Sequence, residues 1–250
     1  MIKIRPTFIS TAASLVIFLN LIPGITAPAS ASITVVPASP FTGPEVYKPG
    51  YPANQGAYRP FDTTLDLAYQ GNGFALPAVS KDTIPGYPNI HQSQYANDGY
   101  YGNGASWISN SAYSWLKIDL GQQALIDSIV FGRDRLGNYN DRDPGQFTIA
   151  VALSDNIYAN GDDSLDSTEY TLIYDSSSDS YSGLINWSES LSVNFSSPVS
   201  AQFIKMTFTN AGTAIDEVEV RGSVIPAPAA VLLGGIGVSI VSGLKRRRTL

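Results

Sequence analysis

The sequence predicts an all-β fold, an antiparallel sandwich, in the middle of a 250-residue chain. Between residues 62 and 222, no segment has a convincing helical period. Short apolar or alternating runs recur there instead, and Gly, Asn, Asp and Ser residues that form turns separate them. A parallel sheet needs crossover helices, and no segment of this region supplies one. The sheet is therefore expected to be antiparallel.

The first 31 residues are predicted to be a secretory signal peptide. A basic start with Lys3 and Arg5 precedes an apolar run over residues 8–25 and an A-x-A cleavage motif that ends at Ala31. An uncleaved membrane anchor is the alternative. Cleavage after Ala31 is favoured, because two prolines ahead of the motif break a helix where processing needs extended chain. The protein is then exported, and its mature form begins at Ser32.

Residues 32–61 are predicted to form a lead-in arm or linker. No helix is expected there, because proline and glycine recur too closely. These residues are Pro37, Pro40, Gly43, Pro44, Pro49, Gly50, Pro52, Gly56 and Pro60.

Seven strands are predicted in the domain that follows, over residues 115–120, 125–132, 147–153, 170–174, 191–195, 203–208 and 215–220. In the first of them, Leu116, Ile118 and Leu120 alternate with polar or mixed residues and form one apolar face. Gly121 is expected to end that strand. Core packing is the favoured role for the large aromatic residues Trp107, Trp115, Phe131, Phe147, Phe195, Phe203 and Phe208.

Residues 223–250 are predicted to hold a single membrane-spanning helix. The 21 residues of the Val224–Leu244 run carry no charge, and four cations follow at positions 245–248. As a helix, this run would span about 31 Å, enough for a bilayer core. The cations would stay in the cytoplasm, so the domain would face outward. A buried helix of the domain is the alternative; three glycines and the adjoining cations disfavour it.

Together, the two ends resemble the PEP-CTERM sorting arrangement of Gram-negative bacteria. In that family, a short proline motif precedes one hydrophobic helix and an arginine-rich terminus. The motif here would be Val224–Pro228, with Ala227 where the family usually has glutamate. The resemblance implies an exosortase-type sorting protease as a partner, a transient anchor in the inner membrane, and then release or attachment at the cell surface.

Residues 62–222 carry a second series of motifs, in the order Ala96-Asn97-Asp98-Gly99, Ser106-Trp107, Trp115-Leu116-Lys117-Ile118-Asp119-Leu120-Gly121, Ile126–Arg133 and Ile215–Val220. This order resembles the discoidin, or coagulation-factor type C, domain of the galactose-binding-like superfamily. The resemblance implies a jelly-roll sandwich that binds a ligand without catalysis, most often a glycan.

The same resemblance implies one structural calcium ion. Carried over residue by residue, its ligands would be Asp98, Ser106 and Glu217, with loop carbonyls beside them. Calcium takes roughly 6–8 oxygens, and Gly99 would allow the sharp turn of such a loop. Ser106 stands further from the Asp-Gly pair than in the family. The alternative is that Asp98 only caps a turn and Glu217 lies on the surface.

The loop over residues 132–143 is the candidate ligand surface, because it holds three of the nine cations of residues 32–222. The residues proposed to bind a glycan are Arg133, Arg135, Tyr139 and Tyr100. Arginine forks suit sugar hydroxyls, and a tyrosine ring can cover the apolar face of a sugar. The alternative is that the arginines brace the loop through ion pairs with Asp134, Asp141 and Asp143.

Composition excludes several other classes of protein. Residues 32–222 carry nine basic and 21 acidic residues, a net charge of −12, which disfavours nucleic acid and suits neutral or cationic ligands. The chain has no cysteine and one histidine, His91, so a multi-histidine metal site is excluded. His91 is interpreted as a surface residue. The acidic stretch 160–169 lacks the spacing of an EF-hand and is interpreted as a solvated hairpin.

These observations favour an exported, non-catalytic carbohydrate-binding module at the cell surface or in an extracellular matrix. Two alternatives remain open. The first is a structural protein of an exopolysaccharide matrix with no specific ligand. The second is a secreted hydrolase, which ranks lowest because the sequence offers no nucleophile and base set and no Gly-x-Ser-x-Gly motif.

Overall fold

The computed structural model describes residues 30–133, 135–137, 139, 141–158, 162–183 and 189–226. The predicted signal peptide, apart from its last two residues, lies outside this range, as does the predicted membrane helix beyond its first three residues. Within the described residues, no helix is long and apolar enough to cross a membrane.

Twelve strands and two short helices make up the labelled elements of this range. The strands are β1 (Ala31–Pro37), β2 (Val46–Tyr47), β3 (Ala57–Pro60), β4 (Val79–Ser80), β5 (Tyr100–Tyr101), β6 (Trp107–Ile108), β7 (Ser114–Gly132), β8 (Phe147–Ala152), β9 (Thr171–Asp175), β10 (Glu189–Phe208), β11 (Ala214–Ile215) and β12 (Glu217–Val224). The helices are α1 (Ala53–Gly56) and α2 (Asp166–Glu169). Short 3-10 turns cover Gln70–Asn72, Ser93–Asn97 and Ser176–Ser178.

The main sheet is antiparallel throughout and runs in the order β12-β7-β10-β8-β9, with β1 added to β10 and β4 added to β7. Its two long central strands, β7 and β10, bend halfway, where their pairing register shifts. One half of this pair carries β1 and β12, and the other carries β4, β8 and β9. The two halves form the two layers of a sandwich.

A single large apolar core lies between the layers. It takes Ile118 and Phe208 from one half of the central pair and Phe131 from the other, together with Val218 of β12. The predicted core aromatics are all buried, Trp107 and Trp115 included. The prediction of an all-β, antiparallel sandwich is therefore confirmed.

The strand boundaries differ from the prediction at the two central strands. Predicted strands 115–120 and 125–132 form the single strand β7, and predicted strands 191–195 and 203–208 form β10. Gly121 was expected to end a strand; it instead bends one, with φ of +71°. A side chain there would place Cβ 2.0 Å from the carbonyl oxygen of Phe74, so the bend needs glycine. A glycine in a sequence often indicates the end of a strand, but Gly121 lies where β7 bulges.

Residues 32–61, predicted as a lead-in arm, pair with the rest of the fold. From Ala31 to Pro37, β1 follows β10 in an unbroken antiparallel register, and Ile33 packs against the core. Further on, β2 pairs with β3, and β3 pairs with β5. Helix α1 forms directly after Pro52, where no helix was expected, because its one turn needs no hydrogen bond from the proline.

The acidic stretch predicted as a solvated hairpin is docked on the sheet instead, in its described part. Lys117 of β7 is fully buried and donates from Nζ to Asp155 Oδ2 at 2.9 Å and to Asp166 Oδ1 at 2.6 Å. Lys205 of β10 also pairs with Asp166. Two lysines on the outer face of the sheet attract this segment, since each needs a carboxylate partner once it is buried.

Candidate functional site

A cleft opens where the loop between β7 and β8 meets the segments before β5 and β6. Its volume is about 60 Å³, well below the range that is usual for small-molecule sites, so the cleft is shallow. Aromatic, amide and cationic side chains line it together with two isoleucines. The lining residues are Gln55, Ile84, Tyr87, His91, Asn103, Ile108, Tyr139 and Arg142.

His91 forms part of the wall of this cleft and is buried, so its interpretation as a surface residue is wrong. Its Nδ1 lies 2.9 Å from Ser106 Oγ, and the ring of Tyr87 packs edge-on at 5.1 Å between centroids. Burial lowers the pKa of His91 to about 4, and the nearby charges of Arg142 and Lys48 add to the effect. The imidazole is therefore neutral near pH 7, with Nδ1 held by Ser106.

Ser106 belongs to this wall through its contact with His91. Its hydroxyl also donates to the carbonyl oxygen of Asn103 at 3.2 Å, and the residue is 1% exposed. The hydroxyl is thus engaged by two partners, neither of which is a carboxylate. Such burial also keeps the Ser106–His91 pair from acting as a nucleophile and base on a substrate, because a substrate could not reach the hydroxyl.

The two arginines predicted to bind a glycan are buried in the loop. Arg133 pairs through Nη2 with Asp143 Oδ1 at 2.9 Å, as the loop-bracing alternative proposed. Arg135 lies between the rings of Phe41 and Tyr101, at 4.5 and 4.3 Å from their centroids. It also donates to a backbone carbonyl, that of Ser39. Both guanidinium groups therefore stabilise the loop rather than face solvent.

The two tyrosines of the predicted glycan site lie in different places. Tyr139 lines the cleft half-buried, and its hydroxyl accepts a hydrogen bond from Asn54 Nδ2 at 3.3 Å. Tyr100 packs edge-on against Tyr58, with ring centroids 5.1 Å apart, and is not among the residues that line the cleft. Of the four predicted ligand-binding residues, Tyr139 alone lies on the cleft.

The structure does bring together two of the three predicted calcium ligands, Asp98 and Glu217. Asp98 ends a 3-10 turn, and Gly99, with φ of +87°, directs the chain toward β12. The Gly99 amide donates to Glu217 Oε2 at 3.1 Å, and the Tyr100 amide donates to Asp98 Oδ1 at 3.1 Å. Glu217 is fully buried, and its Oε1 has no hydrogen-bond partner.

Burial and mutual repulsion disfavour two negative charges at this pair. Burial raises the pKa of Asp98 to about 7, although Lys48 opposes the shift. Burial, and then the charges of Asp98 and Asp66, raise the pKa of Glu217 well above its usual range. A buried carboxylate with a free oxygen next to a second carboxylate is the chemistry a hard cation stabilises. Within the described range, no group of three or more Asp, Glu or His side chains is arranged around a metal position.

No protein-family model matches the chain, and no curated protein matches it. Among solved structures, it is similar to the family 32 carbohydrate-binding module of Clostridium perfringens NanJ in complex with galactose. The two are 18% identical, with a TM-score of 0.43 over 59% of this chain and 93% of that one.

Two other similar structures come from different sources. Chitosan-binding module 2 of a Paenibacillus chitosanase/glucanase, in complex with chitotriose, is 19% identical, with a TM-score of 0.42 over 63% of this chain and 100% of that one. A fucolectin from striped bass serum (Morone saxatilis) is 16% identical, with a TM-score of 0.45 over 60% of this chain and 48% of that one. Similarity at this level does not establish a shared ligand.

Sequence reasoning missed most of the residues that line the cleft. Arg142 lies in the same arginine-rich loop as Arg133, and nothing in the local pattern distinguishes the buried arginine from the one on the cleft. His91 and Asn103 come from separate segments that meet through an isolated parallel bridge between His91 and Ser106. The one feature of the sequence that could have indicated these two residues is that each lies in a loop rich in glycine and tyrosine.

Proposed function

We propose that this protein is an exported, non-catalytic module that binds carbohydrate in the cleft lined by Tyr87, Tyr139 and Arg142. The observation that carries the proposal is the convergence of two tyrosine rings with amide, imidazole and guanidinium groups on one cleft. Aromatic rings cover the apolar face of a sugar, and the polar groups around them hydrogen-bond its hydroxyls.

The proposal is of a binding module rather than a hydrolase. Its support is the burial of the Ser106 hydroxyl, which contacts His91, and the described lining of the cleft, which holds no Ser, Thr, Asp, Glu or Lys side chain. A shallow cleft buries little of a sugar, so we expect millimolar to high-micromolar affinity for one site. Several copies on a surface would then bind a polymer much more tightly than one copy.

A structural calcium ion between Asp98 and Glu217 is the second part of the proposal. The free, buried Oε1 of Glu217 supports it, because an unpartnered carboxylate oxygen there needs a cation or a proton. Both side chains would bind the ion, and loop carbonyls would complete its shell. The ion would neutralise the carboxylates and hold the Asp98–Gly99 turn against β12.

Export and surface attachment form the third part, and they rest on the sequence alone. The basic and apolar start with its A-x-A motif supports secretion. The uncharged run before the terminal arginine cluster supports a transient membrane anchor and processing by an exosortase-type protease. A carbohydrate-binding module delivered to this location would hold exopolysaccharide at the cell surface or within the matrix.

Replacing Tyr139 with alanine should weaken glycan binding about tenfold, because one stacking ring contributes on the order of 1 kcal/mol. The measurement is a multivalent glycan array probed with residues 32–226 displayed on a tetrameric carrier. Tyr113→Ala is the matched control, since Tyr113 is 69% exposed and does not line the cleft. It should bind as the wild type does, and both variants should melt at the wild-type temperature.

The array also separates the proposed function from its alternative. A wild-type protein that binds no glycan in multivalent form would contradict the proposal and favour the structural matrix protein. Equal loss of binding in Tyr139→Ala and Tyr113→Ala would show that the cleft is not the site.

A further inference from the structure

The cleft differs in charge from the domain around it. Among its lining residues, Arg142 carries the one full charge near pH 7, and the others are neutral. None of the described residues that line the cleft is a carboxylate, although residues 32–222 hold 21 acidic residues against nine basic ones. The net charge of −12 therefore describes the rest of the surface and not this site.

Arg142 is also available to a ligand. In the described part of the chain, no carboxylate lies within ion-pair distance of its guanidinium group. The adjacent Asp143 is bound to Arg133, and the carboxylate of Asp141 is exposed and does not line the cleft. A half-buried arginine that has no anionic partner among the described residues, on a cleft that two tyrosines also line, is set to receive an anion.

A second observation indicates a positive local field. The charges of Arg142 and Lys48 both act on His91 and disfavour its protonation. At physiological ionic strength, exposed charges further than about 8 Å are largely screened, so the net charge of the surface does not decide the sign of the field at the cleft. This local field reverses the expectation, based on net charge, that the site suits neutral or cationic ligands.

We propose that the cleft selects a sugar that carries a carboxylate, a uronic acid unit, with Arg142 as the specificity-determining residue. This inference rests on the proposed carbohydrate-binding function. The planar guanidinium of Arg142 would hold the planar carboxylate through two parallel hydrogen bonds. Tyr139 or Tyr87 would cover the ring of the same sugar, and the amides of Gln55 and Asn103 would bind its hydroxyls. A polymer of such units would be an acidic polysaccharide.

The test is calorimetric titration of residues 32–226 with three matched probes of the same length. They are an oligogalacturonate, its methyl ester, and a galactose oligosaccharide that carries sulfate but no carboxylate. We expect the oligogalacturonate to bind about tenfold to a hundredfold more tightly than its methyl ester, the range of a hydrogen bond between charged groups. The preference should shrink as salt is added. Binding of the sulfated probe should be weaker, because the oxygens of a sulfate ester are weaker hydrogen-bond acceptors than those of a carboxylate.

Three variants assign the preference to one side chain. Arg142→Gln should bind the free acid and the ester equally, while Arg142→Lys should keep part of the preference because it keeps the charge. Lys81→Gln is the matched control: it removes one cation whose side chain is 50% exposed and lies outside the cleft. It should leave the preference unchanged, and all three should melt as the wild type does.

The outcomes separate this inference from the proposed function. Equal affinity of the wild type for the acid and the ester would overturn the inference and leave carbohydrate binding intact. Equal or tighter binding of the sulfated probe would overturn the assignment to a carboxylate. A full preference in Arg142→Gln would overturn the role of Arg142. Binding of none of these probes, nor of any glycan on the array, would instead overturn the proposed function itself.

Discussion

Lys117→Met should lower the free energy of unfolding by about 3–5 kcal/mol, because it leaves Asp155 buried without its cation and removes one of the two lysines that pair with Asp166. Lys117 is fully buried and joins Asp155, Asp166 and the carbonyl of Asp162. For a domain of this size, such a loss corresponds to a melting temperature lower by roughly 2–4 °C per kcal/mol. Urea denaturation at pH 7 measures the free energy directly.

A matched lysine on the surface provides the control for this prediction. Lys81 pairs with Asp163 at 3.6 Å, but its side chain is 50% exposed, so Lys81→Met should cost less than about 1 kcal/mol. Restoring neutrality with Asp155→Asn in the Lys117→Met background should recover part of the loss, because Asp166 keeps its ion pair with Lys205. Equal stability of the two lysine variants would contradict the docking of the acidic segment by buried charge.

Calcium should stabilise the domain, and more strongly at pH 8 than at pH 5. Without the ion, the raised pKa of Asp98, about 7 in the fold against 3.8 unfolded, means that its protonated form stabilises the fold in acid. That contribution is lost as the pH rises through about 7, and Glu217 shifts in the same direction. Calcium at a hundredfold excess over its Kd would add about 2.7 kcal/mol at pH 8, while protons compete with it at pH 5.

Glu217→Gln should abolish the difference in melting temperature between calcium and a chelator. In the chelator at pH 8, this variant should be at least as stable as the wild type, because it removes a buried and unpartnered charge. Asp127→Asn is the control, since Asp127 is an exposed carboxylate of β7. A calcium response that survives in Glu217→Gln would place the ion elsewhere, and identical wild-type curves with and without calcium would exclude the site.

Much of the fold could be predicted because its strands carry local signals. The alternation of Leu116, Ile118 and Leu120 with polar residues predicts a strand with one apolar face. All three side chains lie in the core. The same pattern says nothing about the opposite face, which is buried by a segment about 40–50 residues further along. Strand β1 was missed because residues 32–61, taken as one stretch, are rich in proline and glycine. The pairing of β1 with β10 depends on residues far away in sequence.

The candidate sites could be predicted where their residues belong to recognisable motifs, and not where their surroundings depend on the folded chain. Asp98 and Glu217 follow from the order of motifs along the chain, and the fold does bring them together. The partners of Arg133 and Arg135 could not be read from the sequence, since adjacent arginines in one loop reach different environments. Net charge is equally limited as a predictor, because a sum over the chain carries no information on the sign of the charge at one cleft.

The most direct test of carbohydrate binding in the cleft uses the single histidine of the chain as a reporter. His91 lines the cleft, so its imidazole signals in an NMR spectrum can be followed without ambiguity while a glycan is added. A glycan that binds on the array should shift these signals along a saturable curve, with the same Kd as calorimetry. Binding by calorimetry at full occupancy, with the His91 signals unmoved, would contradict the cleft as the site.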